Sequence, residues 1–433
     1  MPKSASAHDK TWAGPALLVL ICLSVGALGY VTYASYGGRS AFAIATGAMA
    51  VTAMSLTLIL ATRPRILEPL FGGLDKMYQV HKWLGISALV LMLSHEWLEP
   101  DFDSSAQETE MGDLASEVGE IALNAFIVLV LISWLRRLPL LKIEVPYQIW
   151  RFSHRFMGVF FALTVFHLFF VDVPAQINPL LSIVLNIFGI AGIAAWIYVE
   201  FIAPNFRRRT YVVSQIDPQA GASLVTLMPR GPALNWRPGQ FAFLRSSQAR
   251  LSEPHPFTIA SAPRPDGALQ VAIRALGDWT RQVPSALKVG MDVEVEGPYG
   301  RFDFRKGKGK ANQLWLAGGI GITPFLAWAE TLAADEPRQV HLIYCVRNAE
   351  EVVGLEVLEA AAARAPNFSF QIVETARDGR LTADRTIELT PFPIGEADLW
   401  FCGPTPLKDA ILKGLKAQNQ TPRKVQYEHF EFA

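Results

Sequence analysis

The chain has 433 residues, 51% of them hydrophobic, and a mean hydropathy of +0.24, high for a soluble protein. Its 39 basic and 39 acidic side chains cancel, which leaves a nucleic-acid partner without electrostatic support. The three cysteines, Cys22, Cys345 and Cys402, lie far apart and offer neither a disulfide framework nor a CxxC metal site.

Two or three domains are expected from the length. Lys3 and Lys10 precede an apolar run over residues 16–33. That run is long enough to span a bilayer and others follow it, so it reads as a first membrane helix and not a cleaved leader. Six spans are expected, at 15–35, 41–62, 78–98, 119–135, 153–173 and 179–202. Arg63, Arg65 and Lys76 follow the second span. Arg136, Arg137, Lys142 and Arg151 follow the fourth, and Arg207, Arg208 and Arg209 the sixth. The loop between spans three and four has no Lys or Arg, but Glu96, Glu99, Asp101, Asp103, Glu108, Glu110, Asp113 and Glu117. The positive-inside rule then puts both termini and the C-terminal half on the cytoplasmic side of the cell inner (plasma) membrane.

After Arg209 the pattern changes. Short strands at 211–213, 223–227, 241–244 and 269–274, broken by Pro and Gly, fit a small antiparallel barrel. Further on, apolar strands at 313–317, 340–345 and 399–402 alternate with helical stretches, the pattern of a parallel α/β nucleotide-binding domain. The expected architecture is a multidomain membrane protein. It comprises a six-helix transmembrane bundle over residues 1–205, an antiparallel β-barrel over 206–308 and an α/β domain over 309–433.

Four of the eight histidines fall in two expected spans: His81 and His95 in the third, His154 and His167 in the fifth. Ionisable side chains inside a bilayer are costly and mark function by default. The spacings are 14 and 13 residues, roughly 21 and 19 Å along a helix. The two spans run in the same direction, so His81 pairs in depth with His154, and His95 with His167. Each level then offers two axial nitrogens, which suits two stacked six-coordinate haems. Fourteen residues return to within about 40° of the starting face, whereas thirteen do not, so span five needs a tightened turn or tilted rings. Arg151 and Arg155 flank His154, as partners for haem propionates or as interfacial anchors.

The stretch His255, Pro256, Phe257, Thr258, Ile259, Ala260, Ser261 reads as a flavin-binding strand, with Thr258 placed for the N5 region of the ring. Arg274 and then Gly277, Asp278, Trp279 and Thr280 form a candidate pyrophosphate cradle, or an ordinary strand, turn and capped helix. A strand ending at Ala317 runs into Gly318, Gly319, Ile320, Gly321, Ile322, Thr323 and Pro324 and then a helix, the context for a dinucleotide phosphate turn. Cys402, Gly403 and Pro404 close another strand and border the nicotinamide, unless Cys402 is a small buried filler. Arg347, assisted by Arg380, favours NADPH over NADH through a 2′-phosphate. Phe430 and Phe432 share one strand face, where one of them stacks on the flavin or both pack in the core.

These motifs resemble the NADPH oxidase and ferric reductase superfamily over nearly the whole length. The family's haem ligands match His81, His95, His154 and His167, and its flavin motif matches residues 255–261. Its phosphate turn matches 277–280, its nicotinamide turn 318–324 and its CGP motif 402–404. Its ring-stacking aromatic best matches Phe430, with Phe432 as rival. The resemblance implies a flavocytochrome taking hydride from NADPH (or NADH) onto FAD, with Thr258, Cys402 and Phe430 as catalytic residues. Electrons would pass singly through two b haems, the inner held by His81 and His154 and the outer by His95 and His167. The acceptor beyond the membrane would be ferric iron or dioxygen giving superoxide. The short chain looks like a bacterial member. The acidic loop would concentrate cations and favour iron, although topology alone also accounts for it. A reading of another class is a haem-binding membrane redox sensor, or an electron relay to a periplasmic protein or quinone. The intact nucleotide motifs stand against the sensor.

Overall fold

The structure is a computed structural model that describes residues 12–102, 109–135, 147–174, 179–219, 221–247, 251–306 and 311–428. The chain forms two compact units, Met1–Phe206 and Arg207–Ala433.

The first unit is helical: α1 (Ala13–Tyr33), α2 (Gly38–Ala61), the short α3 (Glu68–Phe71), α4 (Leu74–Leu98), α5 (Glu110–Leu135), α6 (Tyr147–Arg155), α7 (Met157–Phe170) and α8 (Leu180–Ile197). A π-helical turn, Tyr198–Ile202, and α9 (Ala203–Arg207) follow. Among the described residues, five helical segments are long and apolar enough to cross a membrane: α1, α2, α5, α6 with α7, and α8 with its extension. At about 1.5 Å per residue, the 25 residues of α4 are also long enough. That helix falls below the others in hydropathy because Asp75, Lys76, Lys82, Glu96 and two histidines dilute its apolar face.

The most buried of these helices is α2, which packs against α1, α4 and α8. It presents Ala41, Ala43, Ala45, Ala48, Ala50 and Ala53, all buried, and small residues let helix backbones approach closely where lipid gives no hydrophobic drive. Ser55 donates to the Phe188 carbonyl of α8 at 2.6 Å, a polar tie between two apolar helices.

In the second unit, β1 (Arg208–Gln219), β2 (Ala222–Pro229), β3 (Phe241–Ser246), β4 (His255–Thr258), β5 (Leu269–Arg274) and β6 (Asp292–Tyr299) form an antiparallel sheet in the order β4-β3-β6-β1-β2-β5. It curls until its edges meet at a bridge between Ile259 and Val271. Alternating residues such as Tyr211, Val213, Val225, Leu227 and Val295 fill its interior. Helix α10 (Asp278–Ala286) packs beside β5.

A five-stranded parallel sheet follows, in the order β11-β10-β7-β8-β9, from β7 (Gln313–Gly318), β8 (Val340–Val346), β9 (Phe368–Glu374), β10 (Asp398–Cys402) and β11 (Lys424–Tyr427). Helices α11 (Thr323–Glu330), α12 (Leu355–Arg364), α13 (Thr375–Asp378), α14 (Ala383–Leu389) and α15 (Thr405–Ala417) connect these strands. Buried side chains lie on both faces of the sheet, which is why β7, β8 and β10 are mainly apolar, with one polar residue each, Gln313, His341 and Asp398. The two sheets are fastened together. Trp328 of α11 donates to the Pro238 carbonyl at 3.2 Å, Gln219 accepts from Gly354 N–H at 3.1 Å, and the Ala262 N–H reaches Glu330 at 2.6 Å.

Candidate functional site

Three clusters collect the sequence-predicted residues. The first lies among the membrane helices. His81 and His154 face each other with ring centres 6.2 Å apart and ring planes at 60°. His95 and His167 do the same at 6.5 Å and 74°. First pairs with first and second with second, so α4 and the α6–α7 segment run in the same direction. Two imidazoles bound on opposite sides of one metal through nitrogens at about 2 Å place their ring centres about 6.3 Å apart. Both pairs fit that spacing.

Three of the four rings are seated by backbone. His81 Nδ1 lies 3.0 Å from the Thr57 carbonyl, His95 Nδ1 2.7 Å from that of Ala43, and His167 Nδ1 2.9 Å from that of Ala115. A carbonyl only accepts, so each of these Nδ1 atoms carries the proton and each Nε2 keeps its lone pair for a metal. His154 differs: its Nδ1 is buried with no hydrogen-bond partner among the described residues, and its ring stacks on Trp150 at 5.2 Å and 24°. The thirteen-residue spacing is accommodated by a break. Phe156 separates α6 from α7, and its N–H bonds to the Ser153 carbonyl three residues back at 3.0 Å, a tightened turn between the two histidines. Arg155 is engaged by Glu200, at 2.6 Å from its Nε and its Nη2 to one carboxylate oxygen.

The second cluster is on the curled sheet. Thr258 pairs with Phe241 across β4 and β3, and its hydroxyl is buried without a hydrogen-bond partner among the described residues, a polar atom that a ligand could engage. Trp279 packs against His255 at 4.7 Å and Phe257 at 5.5 Å, so the two motifs named in the sequence meet. The Thr280 hydroxyl accepts from Leu276 N–H and Gly277 N–H at 3.0 and 2.9 Å and thereby shapes the turn that opens α10 with Asp278. Ser261 is fully buried and accepts from Gln270 N–H at 3.1 Å. Pro256 lies within β4 opposite Phe243.

The third cluster joins two turns at the ends of β7 and β10, which pair in parallel with Cys402 opposite Ala317. A side chain on Gly321 would strike the Cys402 carbonyl, and one on Gly318 would stand 2.8 Å from Pro404 and 3.5 Å from Gly403. These glycines therefore let the two turns lie backbone to backbone. Gly319 takes a positive φ of 56°, and a Cβ there would meet the Arg274 guanidinium at 2.9 Å. Thr323 and Pro324 begin α11, with the Thr323 hydroxyl donating to the Ile320 carbonyl at 3.2 Å. Arg274 thus leans on the turn at the end of β7 while standing at the end of β5, and it is paired with Glu351 at 2.7 Å. Arg347 and Arg380 are exposed near the ends of β8 and β9. Phe430 and Phe432 lie outside the described residues.

The sequence reading passed over Glu428. Its carboxylate is buried, comes within 3.4 Å of where a Gly300 side chain would begin, and with burial raises the Cys402 thiol well above its usual range. A carboxylate two residues before the aromatic was the available signal. Also passed over were Thr57, Ala43 and Ala115, whose main-chain role has no side-chain signature.

Residues 46–165 match the model of a ferric reductase like transmembrane component, 220–303 that of an FAD-binding domain, and 315–413 that of an oxidoreductase NAD-binding domain. The toluate 1,2-dioxygenase electron transfer component of Pseudomonas putida is 32% identical over 222 residues, covering 49% of this chain and 65% of the relative. Ferric reduction oxidase 8, mitochondrial, of Arabidopsis thaliana is 33% identical over 142 residues, covering 29% of this chain and 19% of that one. Respiratory burst oxidase homolog protein E of the same plant is 32% identical over 142 residues, covering 27% and 14%. The chain spans less than two thirds of the length of each of these relatives.

Proposed function

The chain belongs to the NADPH oxidase and ferric reductase superfamily by its membrane, FAD-binding and NAD-binding parts together, and we propose that it carries electrons from cytosolic NAD(P)H across the membrane to an acceptor on the far side. It is an NAD(P)H-dependent oxidoreductase and a multi-pass membrane protein. The observation that carries the reading is the two facing imidazole pairs, stacked along α4 and α6–α7 at the spacing of a shared metal.

In this reading α4 is the sixth span, because a helix holding His81 and His95 opposite α6–α7 must lie beside it in the bilayer. Residues 1–205, 206–308 and 309–433 are the haem, FAD and NAD(P)H domains. When bound, FAD would supply hydride acceptance and one-electron release, and paired b haems would supply single-electron relay. The chain's own residues do the rest. His81 with His154, and His95 with His167, would each hold one haem iron through Nε2. Thr258 offers its free hydroxyl to the flavin, and His255, Pro256, Phe257 and Trp279 give it an apolar wall. Gly277, Asp278, Thr280 and Arg274 lie where the pyrophosphate of FAD would run, with Ser261 fixing the strand behind.

Gly318, Gly319, Gly321, Thr323 and Pro324 would receive the nicotinamide dinucleotide at the start of α11, where main-chain N–H groups favour phosphate. Cys402, Gly403 and Pro404 border its ring. Burial beside Glu428 keeps the Cys402 thiol neutral there. Arg347 and Arg380 would favour NADPH, and Phe430 would stack on the flavin until nicotinamide displaces it. The positive loops support a cytoplasmic side for the termini and the second unit.

Ferric chelate and dioxygen are the acceptors to compare. Purified protein under anaerobic conditions should develop reduced haem absorption bands on NADPH addition, and chelated iron or oxygen should then discharge them. Bands that stay oxidised, or a chain without Soret absorption after expression with ample haem, would refute the reading.

A further inference from the structure

The outer imidazole pair is seated on two carbonyls that share one construction. In an α-helix the carbonyl of residue i receives the N–H of residue i+4. Four residues beyond Ala43 stands Gly47, and four beyond Ala115 stands Gly119. A Cβ on Gly47 would lie 2.9 Å from His95 Nδ1, and one on Gly119 2.6 Å from His167 Nδ1. Those separations are shorter than carbon–nitrogen contacts tolerate, so a methyl group at either position pushes the ring off its carbonyl. The same window of bare backbone therefore recurs on α2 and α5, on opposite sides of one pair. A carbonyl oxygen has two lone pairs and serves the helix and the imidazole together.

The inner pair is built otherwise. His81 uses the Thr57 carbonyl, and the residue four further on is Ala61, which keeps its methyl. His154 has no carbonyl seat among the described residues and leans on Trp150.

We infer that Gly47 and Gly119 are positioning residues for the outer haem. They open the Ala43 and Ala115 carbonyls to His95 and His167 and so give that haem two hydrogen-bonded axial ligands, where the inner haem has one. The inference rests on the haem reading above. A hydrogen bond from Nδ1–H to a carbonyl makes Nε2 the stronger donor and favours the oxidised iron. Two such bonds hold the outer site at a lower potential than its ligands alone would set. The outer site is thereby kept a strong reductant towards its acceptor.

The test uses the full chain, purified with its haem, as Gly47→Ala and Gly119→Ala. Gly38→Ala serves as control, at the start of α2 with nothing within 4 Å of the added methyl. Haem stoichiometry, low-temperature EPR of the oxidised protein and an absorbance redox titration are measured. The expected result is an upward shift of one midpoint potential and a change in one low-spin EPR signal, or selective loss of one haem, in each variant. The other haem and the Gly38→Ala protein stay as in the unaltered chain. Two haems with unchanged potentials and signals in both variants would overturn the inference and leave the haem reading intact. An unaltered chain without haem would sink both. Should neither variant accumulate, pulsed EPR of the unaltered chain decides. The remote Nδ1 nitrogens should be alike within one haem and unlike within the other, and four equivalent nitrogens would overturn the inference.

Discussion

Arg274 reaches from β5 of the curled sheet to Glu351, beside the parallel sheet, and donates to it at 2.7 Å while leaning over Gly319. Both side chains are partly exposed, so the pair itself contributes at most about 1 kcal/mol to stability. Its weight lies in occupancy: the cation that overlooks the phosphate turn is already held by an anion. Arg274→Ala should raise the KM for NADPH about 10–100-fold, the value of a charge-assisted bond of roughly 1.5–3 kcal/mol. Glu351→Gln should lower that KM. Steady-state kinetics on FAD-replete protein read both, and an unchanged KM in Arg274→Ala would show that this guanidinium serves no phosphate of NADPH.

Removing single imidazoles should remove haem by pairs. His95→Ala and His167→Ala should each lower the pyridine haemochrome stoichiometry from two haems to one. His81→Ala and His154→Ala should do the same for the other haem. Full haem retention in any of the four would break the pairing read from the 6.2 and 6.5 Å ring separations.

His341 gives the second unit an acid-sensitive core. It is buried in β8, bonds Ser369 through Nδ1 at 2.8 Å, and burial lowers its pKa from 6.5 to about 4. The unfolded chain binds a proton below about 6.5 that the folded chain refuses until about 4. The stabilisation is therefore complete above pH 6.5 and is lost as pH falls through 4. Its size is at most about 3 kcal/mol. Chemical unfolding of the second unit, followed by flavin release from pH 7 to pH 4.5, should show this decline, and His341→Phe should flatten it. Equal slopes in the two proteins would exclude His341 as the source.

Cys345 and Cys402 should resist thiol reagents. Burial pushes the Cys345 thiol up to about 12, and burial with the Glu428 charge raises that of Cys402. Neither supplies thiolate at pH 7.5, the form that reacts. Maleimide labelling followed by mass spectrometry should find both unmodified in the native protein and modified after denaturation. Rapid native labelling of Cys402 would mean that the two turns open far more readily than their packing implies.

The sequence made the chemistry-bearing groups visible wherever a rare residue type stands in a restrictive context. Four histidines in apolar helices, and a glycine turn between a strand and a helix, are such contexts. That the fifth span needs a tightened turn or tilted rings was legible too, because thirteen residues do not return a helix to the same face, but the choice between them and its place at Phe156 were not. The carbonyl seats were not legible. A carbonyl from another helix becomes a partner only when backbones pack, and Gly47 and Gly119 read as ordinary small residues of membrane helices. Strands β6 and β9 also went unnamed, since their apolar residues interleave with charged and polar ones such as Glu294, Glu296 and Gln371. The parallel sheet was legible because strands buried on both faces are apolar without alternation.

The indole of Trp328, hydrogen-bonded to Pro238 and stacked 4.7 Å from Phe302, acts as a rivet through the place where the two sheets meet. Gly239 lies so close beneath it that a methyl there would strike the Phe302 carbonyl. A joint this tight opposes the sheets swinging apart like a hinged jaw. It favours cofactor turnover by small local displacements, the release of Arg274 from Glu351 among them, at a pace that should follow side-chain reorganisation more closely than domain opening.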